Sequence, residues 1–205
     1  SINTYYPTYI FNAEHVANEG VPTWSFQHGM GQNAFSSNIT SPFKLIYTLV
    51  GRDRIAGSIV YVEMLKMLFA GLFFFLYLRT MRVGNYPAII GALLFAFLGY
   101  MVLGSSGWYT HSEKVVYLGL LLWAFERLFM KNSWWLLPLP VFFLANASSV
   151  YFYGLFLILY SLFRYVDEYG WSTKGYFSFF GKMAALGFLG LALKMPFLIS
   201  SIDKI

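Results

Sequence analysis

The stretch Ile55–Leu78, IAGSIVYVEMLKMLFAGLFFFLYL, decides the fold. Its 24 residues carry two charges, Glu63 and Lys66. As a helix rising 1.5 Å per residue it reaches about 36 Å, enough to cross a hydrocarbon core of roughly 30 Å with some tilt. Arg79 and Arg82 close the run, and Gly84-Asn85-Tyr86-Pro87 reads as a turn. This is the pattern of a transmembrane helix with cationic anchors at its end.

The rest of the chain has the same character. Of 205 residues, 58% are apolar, 21% aromatic and only 11% charged. A soluble domain carries roughly 25% charged residues, so a water-soluble fold would have to expose large apolar patches. The net charge of +5 does not signal a nucleic-acid partner. The cations sit singly or in pairs at the ends of apolar runs (Arg52 and Arg54, Arg127 and Lys131, Arg164), not along a phosphate-tracking stripe. With no cysteine, a disulfide framework, a thiolate metal site and a Cys nucleophile are excluded.

Further spans are expected over 86–104, with Gly91 and Gly99 suited to close helix contact, and over the short run 115–130. Residues 133–163 would reach about 46 Å as one helix, too long for one span. The polar break Asn146-Ala147-Ser148-Ser149 divides this run into two short helices, 133–146 and 149–164, and a last span covers 177–200. The expected fold class is all-α integral membrane, a polytopic helical bundle of about six spans over residues 55–205. Residues 1–54 are polar, aromatic and turn-rich, with no spanning run. They read as one loop domain carrying a short amphipathic helix over Tyr9–Glu19, with Ile10, Val16 and Ala17 partly on one side and Gly20 and Pro22 as its stop. With that loop outside, Arg79, Arg82, Arg127, Lys131, Arg164, Lys174 and Lys182 fall inside, against Lys44, Arg52, Arg54, Lys114, Lys194 and Lys204 outside. That bias alone does not fix orientation. Ser1-Ile2-Asn3-Thr4 has neither an initiator Met nor a signal-peptide pattern, so a longer polytopic parent is expected.

Tyr5-Tyr6-Pro7, Gly20-Val21-Pro22-Thr23-Trp24, Gly29-Met30-Gly31-Gln32-Asn33 and Ser41-Pro42-Phe43 resemble, in order and spacing, the first outer loop of the bacterial YfhO-type membrane proteins. Phe95–Tyr100, His111, Trp123-Ala124-Phe125-Glu126-Arg127 and Asn146 before Tyr151-Phe152-Tyr153 are similar to later segments of that family. The resemblance implies a GT-C architecture in the bacterial plasma membrane, with residues 1–54 extracytoplasmic. It implies sugar transfer from a polyprenyl-phosphate donor to a cell-envelope polymer such as lipoteichoic acid. The family's acidic residue in this loop precedes the segment matching Ser1 to Tyr6, which places the expected catalytic base upstream of Ser1 and leaves it unassigned.

Such a transfer requires a base, groups that stabilise the leaving phosphate and groups that hold the sugar in line. The substrate-binding candidates on the expected outer side are His28, Gln32, Asn33, His111, Glu113, Lys114 and Asn146. His111-Ser112-Glu113-Lys114 joins a His, a carboxylate and an ammonium, as a phosphate contact or as solvated loop residues. His28 with Gln32 and Asn33 lies among glycines, as a substrate loop or a self-capping turn. Asn146, Ser148 and Ser149 would bind sugar hydroxyls or only satisfy backbone groups freed at the turn. Glu14-His15 reads as a solvated helix face or as a second acidic group. Lys194 and Asp203 also fall on this side, Lys194 as an anchor or a lipid-phosphate contact. Glu63 and Lys66, three apart on one helix, form a neutralised pair or the intramembrane site of a transporter. Trp108, Tyr109, Trp134, Trp135 and Trp171 are expected in the interfacial belt.

No Walker-type loop, HExxH, GxSxG or metal-type His/Asp cluster is present. No cofactor is firmly implied, although a divalent metal is compatible with a lipid-phosphate donor. The expected partners are the lipid-linked sugar donor, the glycopolymer acceptor and membrane lipids. The competing class is a polytopic transporter or flippase working through Glu63 and Lys66, and a scaffold subunit is a third.

Overall fold

A computed structural model describes residues 2–20, 24–25, 32–33, 41–102, 109–145 and 147–202. The chain opens with α1 (Ile2–Glu19), which Gly20 ends at φ +86°. This helix is longer than the expected Tyr9–Glu19 and carries Pro7 in its second turn. Its buried side is also different. Tyr9, Asn12 and Ala13 are buried while Ala17 is exposed, because Tyr9 stacks on Tyr47 at 4.7 Å between ring centroids. A two-residue antiparallel pair follows, β1 (Trp24–Ser25) with β2 (Gln32–Asn33), Trp24 opposite Asn33.

The segment expected to be loop up to residue 54 contains a second helix, α2 (Pro42–Val50). Pro42 stands in its first turn, where a missing N–H costs nothing. Phe43 and Tyr47, one turn apart, are buried, while Leu45 and Leu49 face outward. Together α1 and α2 form a cap over one end of the bundle.

The helix α3 (Ile55–Thr80) buries one stripe, Ile55, Val62, Lys66, Ala70 and Tyr77. α4 (Asn85–Ala96) turns back and presents Ala88, Ala92 and Ala96 to it. That small-residue face allows close packing: a Cβ on Gly91 would stand 2.7 Å from Leu78 Cδ1. Gly99, expected to play the same part, would meet nothing within 4 Å. Helical backbone breaks at Phe97–Leu98 and resumes over 99–102.

α5 (Tyr109–Lys131) is the axis of the molecule. It starts earlier than the expected 115–130 and absorbs residues 109–114 of what reads as a polar loop. Val115, Val116, Tyr117, Leu120, Leu121, Leu122, Ala124, Phe125, Leu128 and Phe129 are all buried, so other elements cover nearly every side.

The run 133–146 departs most from expectation. Its only regular helix is α6 (Pro138–Leu144), about 10 Å long. Pro138 and Pro140 lack the N–H groups that an earlier helix start would use. The segment nevertheless runs antiparallel to α5, with Trp135 beside Arg127 and Phe143 stacked on Tyr117 at 4.8 Å. α7 (Ala147–Tyr169) then returns, longer than the expected 149–164, with Arg164 reaching Glu126. α8 (Thr173–Ile202) runs back toward the cap and outreaches the expected 177–200 at both ends. Its Phe179 packs on Phe125 and Phe129, and its Lys194 lies over Phe142. The close approach of α8 to α6 is set by Gly190, where a Cβ would fall 2.7 Å from the Pro138 carbonyl oxygen.

Among the described residues, four helical stretches are long and apolar enough to cross a membrane: Arg52–Thr80, Asn85–Val102, Ser149–Tyr169 and Thr173–Pro196. Their surfaces are inverted relative to a soluble bundle. Leu68, Ile90, Leu94, Phe152, Phe163, Phe188 and Leu193 all point outward. A surface of this kind requires hydrocarbon as its solvent. Trp134, Trp135 and Trp171 are exposed near chain turns, positions that suit an aromatic belt.

Candidate functional site

Lys66 is a fully enclosed charge in the spanning region, and the structure shows what surrounds it. Its ammonium donates to Glu63 Oε1 at 2.7 Å and to the Ser112 hydroxyl at 3.3 Å, and stands 3.9 Å from Glu113 Oε1. Phe43 of the cap lies beneath it, the ring centroid 5.6 Å away. The side chains of Lys66, Glu63 and Glu113 are only 1, 13 and 10% exposed. The cluster thus joins α3, the first turns of α5 and the underside of α2.

Its depth follows from helix rise. Lys66 is 13 residues from Arg79 and Glu113 is 14 from Arg127, so the cluster lies about 20 Å from the cationic end of the bundle. Within a core of roughly 30 Å it is intramembrane and displaced toward the cap. Two carboxylates share one ammonium here, and Glu63 Oε2 is buried without a hydrogen-bond partner among the described residues. A buried acceptor without a donor is costly, and Glu126 Oε2 shares that condition; two buried carboxylates facing one ammonium are the feature of this cluster that suits a hydroxyl or cationic ligand group. Nearby carboxylates repel a phosphate, so this cluster is suited to the sugar or acceptor side of a reaction.

An aromatic wall leads away from Lys66. Phe43 contacts Tyr117, Tyr117 stacks on Phe143, and Phe143 meets Phe142, whose face is covered by the buried Lys194 ammonium at 4.8 Å. This end of the bundle therefore offers carboxylates at one edge of an apolar surface and the Lys194 ammonium at the other.

The expected site residues divide accordingly. Glu113 belongs to the cluster. It and Ser112 are buried on α5, not in a solvated loop, because the helix begins at Tyr109 and turns them toward Lys66. Lys114 is half-buried on the same turn. His111 has helical backbone, and its side chain lies outside the described residues, as do the side chains of Gln32 and Asn33 on β2. His28, Asn146 and Asp203 lie outside the described residues altogether. Glu14 pairs with Arg52 and His15 stacks on Phe11, which gives both a structural use within the cap. Ser149 is buried at the start of α7. Among the described residues, no three His, Asp or Glu side chains converge as metal ligands.

Sequence reasoning missed a second buried network. Glu126, wholly buried on α5, accepts hydrogen bonds from Tyr160 at 2.7 Å and Arg164 Nε at 3.1 Å. Tyr160 in turn shares a 2.9 Å hydrogen bond with Tyr77. Three helices, α3, α5 and α7, are tied by it. The available signal was an acid inside an apolar run, which needs a buried partner.

The fold and its outward apolar surface define a polytopic helical membrane protein. The chain belongs to the YfhO family of bacterial membrane proteins, which matches it over residues 5–203. No curated protein and no solved structure matches it.

Proposed function

We propose that this chain acts as a GT-C-type membrane glycosyltransferase, moving a sugar from a polyprenyl-phosphate donor to an envelope polymer such as lipoteichoic acid. In this reading residues 1–54 are extracytoplasmic and the plasma membrane holds the bundle. The observation that carries it is the Glu63–Lys66–Glu113 cluster, with its orphaned carboxylate oxygen, beneath the α1–α2 cap. Family membership supports the membrane setting.

The chemistry has one bond made and one broken. The acceptor hydroxyl oxygen attacks the anomeric carbon, its proton passes to a carboxylate base, and the lipid phosphate leaves with the electron pair of the old C–O bond. Glu63 and Glu113 accept hydrogen bonds from hydroxyls of the bound sugar or acceptor, and Lys66 holds both carboxylates in place. Lys194, at the other edge of the aromatic wall, faces the departing phosphate, with Lys44, Lys114 and His111 further candidates for it. The carboxylate base is left unassigned.

A transporter or flippase is the second reading, and the same cluster favours it, since a buried charge group inside a bundle also suits substrate passage. Glu113 contacts Lys66, so substitutions in this cluster affect both readings and the measured activity must separate them. The native protein in proteoliposomes is given a labelled polyprenyl-phosphate sugar and lipoteichoic acid. Label appearing on the polymer, reduced about 100-fold in Glu113→Gln, supports the enzyme. Donor flux across the bilayer without transfer, lost in the same variant, supports the transporter and overturns the enzyme.

A further inference from the structure

At the end of the bundle opposite the cap, α3 and α5 terminate side by side around a pocket of about 450 Å³. Arg79, Arg82, Arg127 and Lys131 line it together with Thr80 and Trp123, and no carboxylate does. None of these four cations makes an ion pair among the described residues, in contrast to Arg164, which engages Glu126, Asp167 and Glu168. Cations at helix C-termini are favoured by the backbone dipole, but that effect does not require four of them to share one concavity. Arg79, Arg82 and Lys131 are exposed around it and Arg127 is half-buried, so the concavity carries a positive field that favours an anion.

The geometry is built to hold one. The Arg127 guanidinium lies between the rings of Trp123 and Trp135, each 5.4 Å away, so its orientation is fixed by packing. Its Nε is buried and has no hydrogen-bond partner among the described residues. Arg79 donates one Nη1 hydrogen bond to the Val83 carbonyl, which folds the following turn back. Arg82 adopts φ +64°, a left-handed conformation uncommon for a side-chain-bearing residue, and lies on the rim. Exposed Trp134 and Trp135 beside the pocket place it at headgroup depth.

We propose that this pocket binds the phosphate of an anionic phospholipid headgroup, acting as a lipid site separate from the cap-end cluster. Phosphate is the chemistry recognised, through planar donor forks from Arg79, Arg82 and Arg127. The lipid is its source because the pocket opens at the membrane interface.

The test uses native mass spectrometry of the purified protein with dioleoylphosphatidylglycerol or dioleoylphosphatidylcholine added at equal concentration, and with sn-glycerol 3-phosphate as competitor. Preferential retention of phosphatidylglycerol is expected, unaffected by equimolar glycerol phosphate and weakened about tenfold or more in Arg79→Gln/Arg82→Gln. Equal retention of the two lipids overturns the proposal, as does unchanged retention in the double variant. Displacement by the soluble phosphate overturns the lipid as source. The wild-type comparison and the competition decide the matter even where the variant fails to fold.

Discussion

Two buried acid–base clusters lie on the same pair of helices, roughly 20 Å apart, and they are built differently. Near the cap, Lys66 serves two carboxylates, Glu63 and Glu113, with one carboxylate oxygen of Glu63 left over. Toward the opposite end, Glu126 receives Tyr160 and Arg164, while Arg164 continues outward to Asp167 and Glu168 at the membrane edge. The second is a tie across three helices with its charge spread toward solvent. Each leaves one buried carboxylate oxygen without a hydrogen-bond partner among the described residues, Oε2 of Glu63 and Oε2 of Glu126, so the difference is one of charge: the first sets two buried carboxylates on one ammonium beneath a separate layer of structure. A buried charge tied across several helices specifies packing, and two buried carboxylates on one ammonium leave room for a hydroxyl or cationic ligand group.

Removing the cation from either cluster gives the largest effect. Arg164→Met or Lys66→Met strands buried carboxylates and is expected to cost about 3–5 kcal/mol, read as lost thermal stability in detergent. Equal tolerance of both would erase the structural meaning of the clusters. Glu113→Gln separates them: it relieves charge crowding around Lys66, so stability is preserved within about 1 kcal/mol while sugar transfer falls about 100-fold. The companion change Glu126→Gln is expected to show the opposite profile, a loss of stability with normal turnover per folded molecule. Gly190→Val, away from both, forces α8 from the Pro138 carbonyl and is expected to cost about 1–3 kcal/mol in the same thermal measurement. Arg52→Gln gives the smallest change, under about 1 kcal/mol, because its pair with Glu14 is exposed.

The bundle was legible from the sequence because hydrocarbon imposes length and apolarity on each span. Ile55–Leu78 and the runs beginning near residues 86, 149 and 177 could be read from that constraint alone. Elements not bound by it were not. α5 is shielded by other helices, so its first turns could be polar, and Ser112 and Glu113 looked like loop. The 133–146 run is half helical because two prolines prevent an earlier helix start, and side packing on α5 and α8 compensates. α2 is a nine-residue helix held by Phe43 and Tyr47 against partners distant in sequence. For the site, Glu63 with Lys66 followed from helical spacing, whereas their meeting with Glu113 required the α3–α5 interface, which no local pattern encodes. The Glu126 network remained hidden for the same reason.

In the proposed function the two carboxylates on one ammonium beneath the cap hold the reacting sugar or acceptor, and the three-helix tie at Glu126 holds the fold. The direct measurement is label transfer from a polyprenyl-phosphate sugar to lipoteichoic acid in proteoliposomes, normalised to folded protein, for wild type, Glu113→Gln and Glu126→Gln. The account predicts transfer by wild type, about 100-fold less by Glu113→Gln and undiminished transfer per folded molecule by Glu126→Gln. Wild-type transfer that survives Glu113→Gln unchanged would contradict it.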